Sequence, residues 1–203
     1  MHYEAGYAYP LIVWLHGTPG NEQQLRQVMP LVSMRNYVAI APRGVSADRR
    51  QKHSFRWRQT SDDIEQAAAS IAHCVDLVQS RYNIHPQRIF LAGLGAGGTM
   101  AVRLAWNDPH RYAGVATIGG PLPTQLCPLR RVNEMRRVPC LLSMSRHSSD
   151  YPSQRVCGDL RLLHSAGCTV AVRQYPGGDG LSTHMLSDLD RWLMELVCGG
   201  KKE

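Results

Sequence analysis

The sequence predicts an α/β fold, in which a mostly parallel sheet is covered by helices on both faces. Its apolar runs, such as LIVWL at residues 11–15, are continuous, which is typical of strands buried on both sides. Between them lie stretches with apolar residues at helical spacing. Alternating strands and helices favour parallel strands joined by helical crossovers, with binding sites at the carboxyl ends of the strands.

The first half of the chain contains three predicted strands and three predicted helices. The strands are short apolar runs, at 11–15, 37–41 and 89–92. The helices have apolar residues on one face, at 22–34, 61–82 and 96–106. Pro42 ends the second strand, Pro30 is expected to interrupt the first helix, and Asp62 and Asp63 suit the positive N-terminal end of the second.

The second half continues the same alternation. Apolar runs predict strands at 115–118, 140–144 and 169–175. Helices are predicted at 156–165 and at 183–197, the latter with a strongly amphipathic pattern. No linker or repeat divides the 203 residues, so we predict a single domain spanning 1–203.

Composition limits the class of protein and its location. No apolar run approaches the roughly 20 residues of a membrane helix, and the N-terminus lacks the pattern of a secretory signal. The six cysteines are dispersed, several in apolar contexts, which indicates reduced thiols and predicts a cytoplasmic protein without a membrane partner. Histidines and cysteines lack ligand spacing, so no metal is expected.

A glycine-rich turn, Gly93–Gly97 (GLGAG), joins a predicted strand to a predicted helix. It has the frame of a nucleophile elbow, G-x-S-x-G, with Gly95 at the position of the nucleophile. Gly93, Gly95 and Gly98 also satisfy the dinucleotide pattern G-x-G-x-x-G. That pattern requires an acidic residue after the next strand, and residues 115–133 contain none, so we expect no cofactor.

Four segments together resemble the phospholipase/carboxylesterase branch of the α/β-hydrolases over nearly the whole chain. They are YPLIVWLHG at 9–17, APRG at 41–44, the elbow region 88–120, and YPGG at 175–178 with its following helix. The resemblance implies an α/β-hydrolase fold and an esterase ancestry. Members of this branch usually have one or two strands before the stretch that begins at Tyr9, so the resemblance also implies a trimmed sheet or a fragment.

The resemblance assigns roles to particular positions of this chain. The nucleophile falls on Gly95 and the catalytic histidine on Asp179. The acid falls in the loop SRHSSDYP, where Asp150 is the only carboxylate. Spacing along the chain, however, places the position of the acid nearer Ser148. The backbone N–H groups of Thr18 and Ala96 are expected to retain an oxyanion hole. All three catalytic positions are therefore interpreted as vestigial.

Glycine has neither hydroxyl nor thiol, and a carboxylate is a poor base toward serine, so the usual acyl transfer is not expected. His184 and Ser148 are the possible surrogates for the lost groups. The sequence predicts a pseudoenzyme that binds an unknown small molecule or protein partner through the old cleft.

Two alternative functions stay open. One is an active carboxylesterase or thioesterase with a non-standard nucleophile. The other is anion or nucleic-acid binding through the basic loop 43–58, which carries much of the +7 net charge. Because charge runs of this kind are usually solvated loops, nucleic acid is not the expected partner.

Overall fold

The computed structural model describes residues 3–46, 54–124 and 132–199. The strands in these ranges are β1 Tyr9–Leu15, β2 Val38–Ile40, β3 Val45–Ser46, β4 Phe55–Arg56, β5 Ile84–Leu94, β6 Gly114–Ile118, β7 Cys140–Ser145 and β8 Val170–Tyr175. The helices are α1 Gln24–Val32, α2 Ser61–Gln79, α3 Ala96–Asn107, α4 Val132–Met135, α5 Ser153–Ser165 and α6 Thr183–Gly199.

Six strands form one parallel sheet in the order β2-β1-β5-β6-β7-β8, while β3 and β4 form a separate antiparallel pair. From β1 the chain moves outward to β2, then returns to β5 and continues in the other direction. The carboxyl ends of β1 and β5 therefore flank the point where strand order reverses, which is where open α/β sheets have their crevice.

Each face of the sheet packs against its own layer of helices. Leu11, Val13 and Leu15 of β1 join a core with residues of α2, α3 and α5. Ile12 and Trp14 point the other way into a second core with α1 and α6. The alternation of side chains along a strand produces these two cores from one continuous apolar run. The predicted fold, a mostly parallel sheet with helices on both faces, is confirmed.

Several details differ from the sequence prediction. Pro30 does not interrupt α1 but lies inside it, and the flanking Val28 and Val32 pack into the core with α6. β5 begins at Ile84, where it pairs with Tyr9 before a register shift. The β3–β4 pair and α4 were not predicted, because elements of two to four residues are too short to carry a periodic pattern.

Among the helices of the described ranges, none has the length and apolar character that crossing a lipid bilayer requires.

A substitution at Gly97 tests how tightly the start of α3 packs, and a substitution at Gly158 in α5 serves as the comparison. A Cβ at Gly97 would collide with the carbonyl oxygens of Leu15 and His16, so Gly97→Ala should destabilise the protein by about 3 kcal/mol. Gly158 lies in α5 with no atom within 4 Å of an added Cβ. Gly158→Ala should instead stabilise the protein by about 0.5 to 1 kcal/mol.

The measurement is urea unfolding followed by circular dichroism for both variants and the wild type. Equal effects of the two substitutions would contradict the close approach of α3 to the end of β1.

Candidate functional site

The turn between β5 and α3 holds Gly95 in an unusual backbone conformation. Its φ is 52° and its ψ is −122°, a region that favours glycine. The Gly95 N–H donates to the carbonyl of Ile118 at 2.8 Å, and the Gly95 carbonyl accepts from the Thr99 N–H at 3.0 Å. An added Cβ would meet no atom within 4 Å. The turn therefore presents residue 95 to open space, as an elbow presents a nucleophile.

The start of α3 is held close to its neighbours on both sides. Gly97 lies against the end of β1, and a Cβ on Gly98 would collide with the side chain of Thr117 in β6. The helix N-terminus is therefore fixed directly behind the switch point of the sheet.

A cleft of about 610 Å³ opens in front of this turn. It has apolar walls, side-chain amides and hydroxyls, and two carboxylates at one end. Its lining residues are Gly17, Thr18, Pro19, Gln24, Trp57, Gln59, Leu94, Gly95, Ala96, Thr99, Ile118, Gly119, Pro121, Ser145, Ser148, Asp150, Asp179, Gly180 and Met185.

The loop after β1 converges on the elbow, since Thr18 and Ala96 both line the cleft. Gln24 supports this loop from α1, because its Oε1 accepts from the Gly17 N–H at 3.1 Å and from Trp14 Nε1 at 2.9 Å. The predicted oxyanion-hole segments are thus brought together. Ala96 is the first residue of α3, so its N–H lies at the helix N-terminus, where the helix dipole favours negative charge.

His16 is a structural part of this loop. Its ring is fully buried, lies 2.8 Å from the Gly17 carbonyl through Nδ1, and accepts from the Gly44 N–H through Nε2 at 3.2 Å. A neutral ring with its proton on Nδ1 satisfies both contacts, and burial lowers the pKa of His16. Trp57 Nε1 donates to the His16 carbonyl at 3.0 Å. These contacts tie the β1 loop to the segments carrying Gly44 and Trp57.

Asp179 is anchored to the loop after β7 rather than directed at the elbow. Ser148 Oγ donates to its Oδ1, and Ser149 donates to its Oδ2 through Oγ at 2.5 Å and through N at 2.8 Å. The Asp150 N–H adds a contact to Oδ1 at 3.3 Å. These hydrogen bonds, from Ser148 first and then Ser149, lower the pKa of Asp179 well below its usual range. Asp179 is therefore a solvated carboxylate whose acceptor sites are already occupied.

The two candidate acid positions differ in their surroundings. Ser148 is buried, touches Asp179 through its hydroxyl, and accepts from the Tyr151 N–H at 2.8 Å. Asp150 is exposed at the rim of the cleft. The side chain at 148 therefore contacts position 179, as the acid of a triad contacts its histidine, whereas the Asp150 carboxylate forms no hydrogen bond or ion pair with another described residue.

Of the remaining residues considered, Thr99 lines the cleft and His184 does not. His184 is exposed on the first turn of α6 and is not among the residues that line the cleft. Thr99 Oγ1 donates to the Pro121 carbonyl at 2.7 Å, so its hydroxyl supports the loop after β6.

The basic loop is only partly described, since residues 47–53 lie outside the described ranges. Within the described part, Arg43 pairs with Glu22 through Nε at 2.7 Å and stacks over the ring of Phe55.

A buried carboxylate that sequence reasoning missed braces the rim of the cleft. Asp159 of α5 accepts from the Tyr151 hydroxyl at 2.9 Å and from the Leu122 N–H at 2.8 Å. It thereby joins the loop that carries Ser148 to the loop after β6. The available signal was a lone acid on the buried face of a predicted helix, but its partners are separated from it in sequence and carry no motif.

The parallel sheet, the elbow at its switch point and the converging β1 loop define the class of α/β-hydrolases. Within that class, the chain belongs to the esterase PHB depolymerase family, whose model matches residues 4–137. A curated relative, poly(3-hydroxyalkanoate) depolymerase C of Paucimonas lemoignei, is 30% identical over 117 residues. The match covers 55% of this chain and 28% of that protein, so the chain spans under a third of the relative's length.

Solved structures of esterases and thioesterases share the fold. The Bacillus cereus carboxylesterase superposes with a TM-score of 0.77 at 16% identity, covering 96% of this chain and 92% of that one. Acyl-protein thioesterase 2 of Zea mays gives a TM-score of 0.69 at 18% identity, covering 97% of both chains. These likenesses confirm the predicted α/β-hydrolase resemblance at the level of fold.

The hydrogen bonds to Asp179 predict how stability depends on pH. Because its folded pKa is depressed, Asp179 stabilises the fold above its unfolded pKa of about 4, and this contribution declines as pH falls toward the folded value. Asp179→Asn should therefore lower the free energy of unfolding at pH 7, and the difference from wild type should shrink between about pH 5 and pH 2.

Urea unfolding at a series of pH values measures this difference. Asp150→Asn is the matched control, because the Asp150 carboxylate lies outside the cluster of bonds around Asp179. A difference between wild type and Asp179→Asn that does not change with pH would contradict the assignment.

Proposed function

We propose that this member of the esterase family is catalytically degenerate and binds a small ligand through its former active-site cleft. The observation that carries the proposal is Gly95, which occupies the tip of an intact elbow without a hydroxyl or thiol. Covalent acyl transfer by this route needs such a group, activated by a neighbouring base.

The environment of Asp179 supports the same proposal. A general base works best when its pKa lies near the operating pH, whereas hydrogen bonds from Ser148 and Ser149 lower the pKa of this carboxyl. Its oxygens point into the loop after β7. A serine placed at position 95 would therefore face no imidazole and no effective base.

The histidines argue against an alternative nucleophile in the described part of the chain. There, the hydrogen-bonded rings of His16 and His85 contact backbone groups, and His110 lies near a carboxylate. No hydrogen bond between described residues joins a histidine ring to a hydroxyl or thiol. Thr99 and Ser148 lie in the cleft, but their hydroxyls donate to the Pro121 carbonyl and to Asp179.

The cleft keeps features that suit binding. Its volume of about 610 Å³ lies within the usual range for small-molecule sites. Leu94, Ile118 and Met185 supply apolar surface, and the N–H groups near Thr18 and Ala96 suit a carbonyl or carboxylate oxygen. A ligand with an acyl group would use both.

Hydrolysis assays test the proposal directly. Purified wild type should hydrolyse p-nitrophenyl acetate and butyrate no faster than the buffer, and a fluorophosphonate probe should add no mass to the protein. Turnover together with an adduct on an identified side chain would overturn the proposal.

Rebuilding the triad should restore activity in a defined order. Gly95→Ser alone should remain inactive, because loss of the histidine of a serine hydrolase costs up to about a million-fold in kcat. Adding Asp179→His supplies a base, and adding Ser148→Asp places a carboxylate against that histidine. The triple variant should exceed Gly95→Ser by about a hundredfold or more.

The control for this series is Gly95→Ala in the Asp179→His/Ser148→Asp background, which has the same side-chain strain but no hydroxyl. Activity of the triple variant no greater than that of this control would contradict the assignment of the three positions. Thermal unfolding of every variant establishes that the compared proteins are folded.

A further inference from the structure

Gln59 brings an unused hydrogen-bond donor to the cleft, which it lines. Its Oε1 accepts from Arg103 Nε at 2.6 Å. A guanidinium has only donors, so this bond fixes which end of the amide is oxygen and which is nitrogen. The amide nitrogen, Nε2, is buried and has no hydrogen-bond partner in the described part of the chain. Because a buried donor without an acceptor is unfavourable, an oxygen atom of a ligand beside Gln59 would relieve that cost.

The position of Gln59 places this donor on the β1 side of the cleft. Gln59 lies two residues after Trp57, whose Nε1 donates to the carbonyl of His16 just beyond β1. Thr18 and Ala96, whose N–H groups suit an oxygen atom, follow β1 and β5. The donors of the cleft are therefore gathered where the chain leaves these two neighbouring strands.

The opposite side of the cleft carries negative charge. Asp150 follows β7 and Asp179 follows β8. The sheet order is β1-β5-β6-β7-β8 and neighbouring strands lie about 4.8 Å apart, so the ends of β5 and β7 are separated by on the order of 10 Å. The cleft is thus polarised across the sheet, with donors on one side and carboxylates on the other.

No positive side chain balances these carboxylates within the cleft. Its described lining residues include no lysine, arginine or histidine. Arg146 and His147, in the same loop as Asp150, are exposed and do not line it. The whole chain has a net charge of +7, so the negative sign is a local property of the cleft. A local field of this sign attracts a cation.

The two carboxylates differ in what they offer to a cation. The oxygens of Asp179 accept from Ser148 and Ser149, so Asp179 contributes charge rather than a free acceptor. The Asp150 carboxylate forms no hydrogen bond or ion pair with another described residue. Asp150 is therefore the acceptor available to an ammonium group.

We propose that the cleft binds a small zwitterion, with a carboxylate at one end and an ammonium group at the other. The carboxylate would accept from Gln59 Nε2 and from the Ala96 N–H. The ammonium group would lie beside Asp150, and the apolar part between the two ends would contact Leu94 and Ile118. This inference rests on the proposed function, because it names the chemistry of the ligand that the degenerate cleft would bind.

Ligands with only one of the two charges fit less well. A simple carboxylate would satisfy Gln59 but would leave Asp150 unpaired in a cleft that already holds two negative charges. A simple amine would pair with Asp150 but would leave the buried Nε2 of Gln59 without an acceptor.

Three probes of similar length test this preference, and isothermal titration calorimetry on the full chain measures their affinities. 6-Aminohexanoate should bind most tightly. Hexanoate should bind about threefold more weakly, because it lacks one solvent-exposed ion pair. Hexylamine should bind about tenfold more weakly or worse, because it lacks the hydrogen bonds to a charged oxygen.

Substitutions on the two sides of the cleft should have separate effects. Gln59→Glu keeps an acceptor for Arg103 but replaces the donor, so it should weaken binding of hexanoate and 6-aminohexanoate by about tenfold or more without weakening hexylamine. Asp150→Asn should weaken 6-aminohexanoate by about threefold without weakening hexanoate. Gln79→Glu and Glu195→Gln, at exposed positions of α2 and α6, are the matched controls and should leave all three affinities unchanged. Thermal unfolding shows whether each variant is folded.

Three results would overturn the inference. One is no binding of 6-aminohexanoate at millimolar concentration. Another is binding of 6-aminohexanoate that is no tighter than that of hexanoate and hexylamine. The third is a folded Gln59→Glu variant with the same three affinities as wild type. Loss of the proposed degenerate function is a different result, since it would appear as ester turnover with a covalent adduct, which the binding measurements do not detect.

Discussion

The close packing of the turn between β5 and α3 is the constraint on which the rest of the site depends. Gly97 lies against the carbonyl oxygens of Leu15 and His16, and Gly98 lies against Thr117, so the helix start touches strands on both sides. This approach fixes Gly95 at φ 52° and brings the loop of Thr18 beside Ala96. The cleft exists because these contacts hold its back wall at the switch point of the sheet.

Residue 95 has the backbone conformation of an elbow, but as a glycine it has no side-chain hydroxyl or thiol. A residue with a Cβ in the left-handed region costs about 1 to 3 kcal/mol, which functional sites tolerate and glycine avoids. The close packing of Gly97 and Gly98 holds the turn through contacts that do not involve a side chain at 95. Asp179 accepts from the hydroxyls of Ser148 and Ser149, so its carboxylate joins the loop after β8 to the loop after β7. Both loops also contribute residues to the lining of the cleft.

The sequence predicts the fold well because long buried strands and amphipathic helices carry a periodic signal. It also predicts that Gly95, Asp179 and Thr18 lie near the ends of successive strands, and all three line the cleft. It does not choose between Asp150 and Ser148, since that choice depends on which side chain of one short loop turns inward. Asp159 is missed for a related reason: its partners, Tyr151 and Leu122, come together only in the folded chain.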